Sequence, residues 1–232
     1  MTRIQGIIFD KDGTLFAFND TWAQWSVTFL TSLAPNDDAL RRSMADKVGF
    51  DWDAKTFKAG SLAVNAAVDE QCILLASVHP ELDAKQIERL AFDALQDSNA
   101  TPVCDLHGLL GGLRDTGFRL GVATNDFENS AHTQMRDAKI DHHFEFICGF
   151  DSGHGSKPGA GMITAFCAQM NLDPAHVAMV GDSTHDLEAG RSAGVGLNVG
   201  VLTGPARMQD IEHLADVILP DISGLPAILS AA

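Results

Sequence analysis

Ile4-Gln5-Gly6-Ile7-Ile8-Phe9-Asp10-Lys11-Asp12-Gly13-Thr14 is a short apolar, β-branched run that stops abruptly at two aspartates and a glycine. Such a run reads as a buried strand feeding a polar loop. The texture then changes. From about Asp20 to Ser98 helical periodicity dominates, broken at Pro35, Gly49, Gly60 and Pro80, and predicts helices near 20–33, 37–47, 60–77 and 84–97. Beyond Pro102 apolar strands predicted at 119–123, 144–149, 177–180, 196–199 and 217–219 alternate with helices near 105–116, 128–137, 159–171, 184–193, 208–214 and 222–230. That alternation implies βαβ units and an α/β fold with a doubly wound, mostly parallel sheet. An inserted all-helical domain over 17–99 therefore separates the first strand from the rest of an α/β core, residues 1–16 and 100–232.

Composition narrows the function classes. The chain has 232 residues, 45% hydrophobic and 20% charged, with a net charge of −15. Nucleic acid and acidic membrane surfaces are bound by stripes of Lys and Arg, so neither is an expected partner. No apolar run approaches the ~20 residues of a membrane span, and the opening residues lack the long apolar region of a secretion signal. Cys72, Cys104, Cys148 and Cys167 are scattered without a CxxC pair, which fits free thiols and a cytoplasmic setting. Nothing in the sequence sets an oligomeric state.

In an open parallel sheet, ligands sit beyond the carboxyl ends of the strands. Four predicted strand ends carry polar residues that no core requires: Asp10 and Asp12; Thr124, Asn125 and Asp126; the stretch Gly155-Ser156-Lys157-Pro158; and Gly181-Asp182-Ser183-Thr184-His185-Asp186. Four carboxylates against one lysine make a field that a phosphate dianion enters only beside a cation, and a hard divalent ion suits carboxylate ligands. By strand alternation Lys11 points away from Asp10 and Asp12, toward solvent or a partner on the back of the sheet. His185 is read as lying in the loop or first helical turn, a loop or surface residue rather than a catalyst, and His142-His143 as an exposed turn.

In order and spacing these stretches, Asp-x-Asp-Gly-Thr, then Thr, then Lys, then Gly-Asp-x-x-x-Asp, resemble the four motifs of the haloacid dehalogenase superfamily. The resemblance implies a Rossmann-like core with a helical cap of the first type. It implies Asp10 as nucleophile, Asp12 as general acid and base, and Thr124, Asn125 and Lys157 as phosphoryl-binding groups. It also implies Mg²⁺ held by Asp10, Asp182 and the backbone carbonyl of Asp12, with Asp186 behind through water or Lys157. The activity implied is a Mg²⁺-dependent phosphatase of a small phosphorylated metabolite, 2-phosphoglycolate or a sugar phosphate, working through an aspartyl-phosphate. A phosphomutase of the β-phosphoglucomutase type and a catalytically silent binding protein remain alternatives on the same motifs. In the cap, Asn19, Trp25, Lys58 and Ser61 are substrate candidates. Gly60-Ser61 is expected to open a helix whose free N–H groups, with Lys58 nearby, suit an anionic group.

Overall fold

The computed structural model describes residues 3–58, 61, 68–94 and 100–230, without the side chains of Asn19, Asp20, Thr21 and Asp93. The predicted Asn19 contact and the expected helix opening at Gly60 lie outside the described side chains and residues respectively.

Strand β1 (Gly6–Phe9) is the centre of a six-stranded sheet. It pairs in parallel with β4 (Arg119–Ala123) on one side and β6 (Val177–Gly181) on the other. Strand β5 (Phe146–Cys148) lies outside β4, and β7 (Leu197–Val201) and β8 (Val217–Leu219) extend the β6 side, all in parallel register. The central strands β1 and β6 are buried on both faces, so their sequences read as continuous apolar runs. Ile7, Phe9, Leu120, Val122, Ala178 and Val180 face one cluster with Leu110 and Leu113 of α5 (Leu106–Asp115). Ile8, Ala123, Val177 and Met179 face the other, with Met162, Ile163 and Phe166 of α7 (Gly161–Met170) and Ala189 of α8 (Thr184–Ala193). Helix α6 (Glu128–Asp137) lies between β4 and β5, and α9 (Met208–Ile211) and α10 (Leu225–Leu229) are single short turns. The long predicted helix at 222–230 divides because Ile222–Gly224 is a 3-10 turn, opened by Asp221 accepting from the Ser223 N–H.

The insert builds its own apolar cluster. Helices α1 (Phe18–Leu33), α2 (Asp38–Val48), α3 (Val68–Ala76) and α4 (Ala84–Ala94) contribute Phe29, Leu30, Met44, Leu75 and Ile87 to it. One element departs from the all-helical expectation: β2 (Phe50–Asp51) and β3 (Thr56–Phe57) form a two-residue antiparallel ladder. Two residues are too few to show alternation. The signal was in the turn, where the Asp51 carboxylate accepts from the Asp53 and Ala54 N–H groups and Lys55 takes φ 54, a common use of Asp in tight turns.

The His142-His143 turn is a 3-10 turn, Asp141–His143, in which His143 is buried rather than exposed. Its Nε2 stands 3.1 Å from His107 Nδ1 of α5.

Phe166 is fully buried on the sheet face and packs edge-on against Phe146. Replacing it with alanine leaves a cavity under β1 and β4, and Phe→Ala in a core costs about 3–5 kcal/mol. Phe166→Ala is expected to lower the unfolding free energy by that amount, seen as a lower urea midpoint with the m-value unchanged, measured by equilibrium unfolding.

Candidate active site

Each chemical group sits where a strand runs out. Asp10 follows β1 and is tied to the sheet through its N–H, which donates to the Val180 carbonyl. Thr124 follows β4, its N–H donating to the Cys148 carbonyl. Asp182 follows β6. Strand order changes direction at β1, which has β4 on one side and β6 on the other, so these three ends converge at the crevice where such sheets bind ligands.

Lys157 joins them. Its ammonium is 2.5 Å from Asp10 Oδ1, 2.5 Å from Asp186 Oδ1 and 2.8 Å from the Ala123 carbonyl oxygen. The side chain is 2% exposed. Burial pulls its pKa down, and the Asp10 and Asp186 charges more than reverse that, so it stays protonated. Asp186 opens α8 in a capping box: Ser183 Oγ accepts from the Asp186 N–H, and Asp186 Oδ2 accepts from the Ser183 N–H. Both Asp186 oxygens are thereby engaged. Asn125 holds Lys157 from the other side. Its Nδ2 donates to the Lys157 carbonyl and its Oδ1 accepts from the Lys157 N–H. Its amide therefore clamps that loop while the residue also lines the cavity.

Carboxylate oxygens of Asp10, Asp182 and Asp186 lie within 4.8 Å of one another. Burial pushes Asp10 up to about 7, against the lowering effect of Lys157, with Asp186 and Asp12 adding to the rise. Burial likewise lifts Asp182 well above the usual carboxylate range, with Asp10 and Asp186 contributing. Asp182 Oδ2 is buried without a hydrogen-bond partner, a costly condition for a carboxylate oxygen. The backbone closes tightly over it. A Cβ at Gly204 would lie 1.6 Å from Asp182 Oδ2, and one at Gly13, where φ is +89°, would lie 2.6 Å from the same atom. Thr203 Oγ1 donates to the Gly13 carbonyl and pins the two loops together. An orphaned carboxylate oxygen beside two further carboxylates is a donor set of the hard, all-oxygen kind that Mg²⁺ takes.

Lys11 overturns the expectation of a side chain facing away. It is 0% exposed, and its ammonium lies 2.6 Å from Asp12 Oδ2, 3.1 Å from Asp126 Oδ2 and 2.5 Å from Gln134 Oε1. Alternation applies only as far as Phe9. From Lys11 the chain turns, its carbonyl accepting from the Leu15 and Phe16 N–H groups, and the side chain swings beneath Asp12. Burial lowers the Lys11 pKa, and the Asp12 and Asp126 carboxylates more than reverse that, so it stands above its ordinary value. Burial raises Asp12, and Lys11 partly offsets this. Asp126 and Gln134 were not read from the sequence as part of the site. Asp126 stood in the quoted motif; Gln134 had no signal beyond its place on α6.

These groups floor a cavity of about 100 Å³ that extends into the helical insert. Asp10, Asp12, Thr124, Asn125, Lys157, Asp182 and Asp186 line one end, with His185 of the first turn of α8. Trp25 lines it too. Lys58 and Ser61 do not. The Lys58 ammonium is exposed and paired with Asp46 at 2.8 Å, and Ser61 Oγ donates to the Val48 carbonyl at 2.6 Å.

A parallel sheet with this carboxylate and lysine cluster at its switch point defines a hydrolase of the haloacid dehalogenase type. The sequence profile of the haloacid dehalogenase-like hydrolases matches residues 7–199, and the chain belongs to that family. It is 27% identical over 233 residues to a pyrophosphatase of Anoxybacillus flavithermus, covering 98% of this chain and 97% of that one. Among solved structures it is similar to a predicted phosphoglycolate phosphatase from Haemophilus somnus, with a TM-score of 0.76, 22% identity and 98% and 99% of the two chains covered. It is also similar to the HAD-hydrolase YfnB of Bacillus subtilis bound to magnesium, with a TM-score of 0.66, 17% identity and 99% and 100% covered.

Lys11→Met removes the counter-charge of Asp12 and Asp126 while leaving both carboxylates in place. Breaking a buried pair from one side costs about 3–5 kcal/mol. The variant is expected to lose stability in that range at pH 7 by urea unfolding, and to recover part of it when Asp126→Asn is added.

Proposed function

We propose that this hydrolase is a Mg²⁺-dependent phosphatase acting on a small phosphorylated metabolite through an aspartyl-phosphate on Asp10. The observation that carries this reading is the Asp10 carboxylate held by Lys157 at 2.5 Å on the floor of a cavity that Asp12 and Thr124 also line. Phosphatase names among the relatives support it.

Asp10 attacks phosphorus, and the bond from phosphorus to the substrate's bridging oxygen breaks. Asp12 gives its proton to the departing oxygen, a role that suits a carboxyl raised by burial. Water then attacks the phosphorus of the acyl phosphate, Asp12 takes a proton from it, and phosphate leaves Asp10 free. Lys157 fixes the nucleophile and offers positive charge to the phosphoryl oxygens, while Thr124 supplies a hydroxyl donor. Asp10, Asp182 and the Asp12 carbonyl are the residues that would hold Mg²⁺, with Asp186 behind them through Lys157. The ion would supply charge neutralisation among the carboxylates and polarisation of a phosphoryl oxygen. Residues 17–99 act as the cap that excludes water from this chemistry.

Phosphate release from a panel of phosphorylated metabolites is expected in Mg²⁺, to vanish in chelator, and to fall by at least about a thousandfold in Asp10→Asn, which lacks the nucleophile. Release that is equal in the variant sinks the covalent reading.

A proton-linked effect accompanies this. Asp10 has a folded pKa of about 7, above its unfolded value. The stability tied to its protonation is full at low pH and is lost as pH rises through about 7. Mg²⁺ competes with that proton, so the rise in thermal unfolding temperature on adding Mg²⁺ is expected to be larger at pH 8 than at pH 5.5. Differential scanning fluorimetry checks it.

A further inference from the structure

We infer that the group esterified to the phosphate is uncharged and mainly apolar, an aromatic or branched aliphatic alcohol, and that substrates carrying a second anion are disfavoured. The inference rests on the phosphatase reading and names its substrate class. It comes from the two unlike ends of the cavity. The end beyond the carboxylates is walled by Phe18, Trp25, Phe29, Leu30, Phe57 and Leu75. The rings are set against one another as in a core: Phe18 and Phe57 edge-on at 5.0 Å, Trp25 and Phe29 stacked at 4.7 Å. Desolvated apolar walls of this kind favour an apolar occupant by roughly 25 cal/mol for each Å² covered.

Charge makes the stronger argument. Lys157 is the sole Lys or Arg lining the cavity among the described residues, and its ammonium already serves Asp10, Asp186 and the Ala123 carbonyl. The one other basic side chain there, His185, follows Thr184 in the first turn of α8, beside the carboxylates. Lys58, the cation that would answer a second anion, is paired with Asp46 at the surface. The segments 59–60, 62–67 and 95–99 contain no Lys or Arg in their sequence. A carboxylate or second phosphate pushed among these rings would be buried without a counter-ion, which costs far more than the apolar walls return.

The same walls carry a polar signal. The indole nitrogen of Trp25 is buried without a hydrogen-bond acceptor and the residue lines the cavity, whereas the neighbouring Trp22 indole is directed to the Asp12 carboxylate. An unpaired buried donor is expensive. An ether or hydroxyl oxygen on the alcohol moiety would satisfy it, consistent with a neutral group that is not purely hydrocarbon.

The test compares kcat/KM of the full chain with Mg²⁺ on benzyl phosphate and on 2-phosphoglycolate, both esters of primary alcohols. At least a tenfold preference for benzyl phosphate is expected; equality or reversal overturns the inference. Gln71→Arg places a cation in the cavity wall and is expected to cut that preference at least tenfold, with its unfolding temperature followed to exclude misfolding. An unchanged preference in a folded Gln71→Arg counts against the inference. Calorimetry with the unreactive benzylphosphonate and phosphonoacetate separates the two levels of the reading. If no ester is hydrolysed yet benzylphosphonate binds more tightly, the pocket assignment stands and the phosphatase reading fails. Tighter binding of phosphonoacetate, or binding of neither, overturns the pocket assignment.

Discussion

The ammonium of Lys157 between the carboxylates of Asp10 and Asp186 is the interaction on which the site depends. It draws together the end of β1, the end of β4 through the Ala123 carbonyl and the start of α8, three elements far apart in sequence. A buried ion pair of this kind is no guarantee of net stability, because both charges have left water. Its value is positional. With Asn125 gripping the Lys157 backbone on both sides, the lysine has little freedom, and the Asp10 carboxylate inherits that rigidity.

A second lysine does comparable work for the neighbouring acid. Lys11 lies beneath Asp12 and shares its charge with Asp126 and Gln134. The two aspartates of one short motif are thus anchored to different cations on different elements. This keeps two groups only two residues apart in distinct electrostatic surroundings, an arrangement by which neighbouring acids come to serve as nucleophile and proton donor. Five carboxylates, those of Asp10, Asp12, Asp126, Asp182 and Asp186, face two ammonium groups across the site. The excess negative charge stands directly beneath aromatic walls, so the cavity is polar and anionic at its floor and apolar above it.

Much of this was legible because the informative residues fell where a regular pattern stopped. Asp10, Thr124 and Asp182 each end an apolar run, and a polar residue there cannot be explained by packing. The alternation of strands and helices gave the sheet, and the helical texture of 20–98 gave the insert. What escaped was set by local turns and by distance. Lys11 lies one residue past the point where strand alternation holds, so its direction depended on a turn that the pattern does not encode. Gln134 reaches the site only because α6 returns across the end of β4. Lys58 and Ser61 looked available for an anion in the sequence, yet each is satisfied nearby, by Asp46 and by the Val48 carbonyl. Local satisfaction of this kind is invisible until the fold is known. The β2–β3 ladder was too short for any periodicity.

The placement of β1 at the middle of the sheet has a consequence for how the chain is made. Both partners of this strand are synthesised long after it, at residues 119–123 and 177–181. Until then its apolar edges have nothing to pair with, and Asp10 has neither Lys157 nor Asp182 beside it. The insert is synthesised in that interval and can build its own apolar cluster from contacts within itself, which are fast compared with long-range strand pairing. Nascent chains stalled between these points would therefore carry a collapsed helical segment tethered to an unpaired strand, the kind of exposed edge that recruits chaperones and promotes aggregation. The residues that give the mature protein its chemistry would be among the last to find their places.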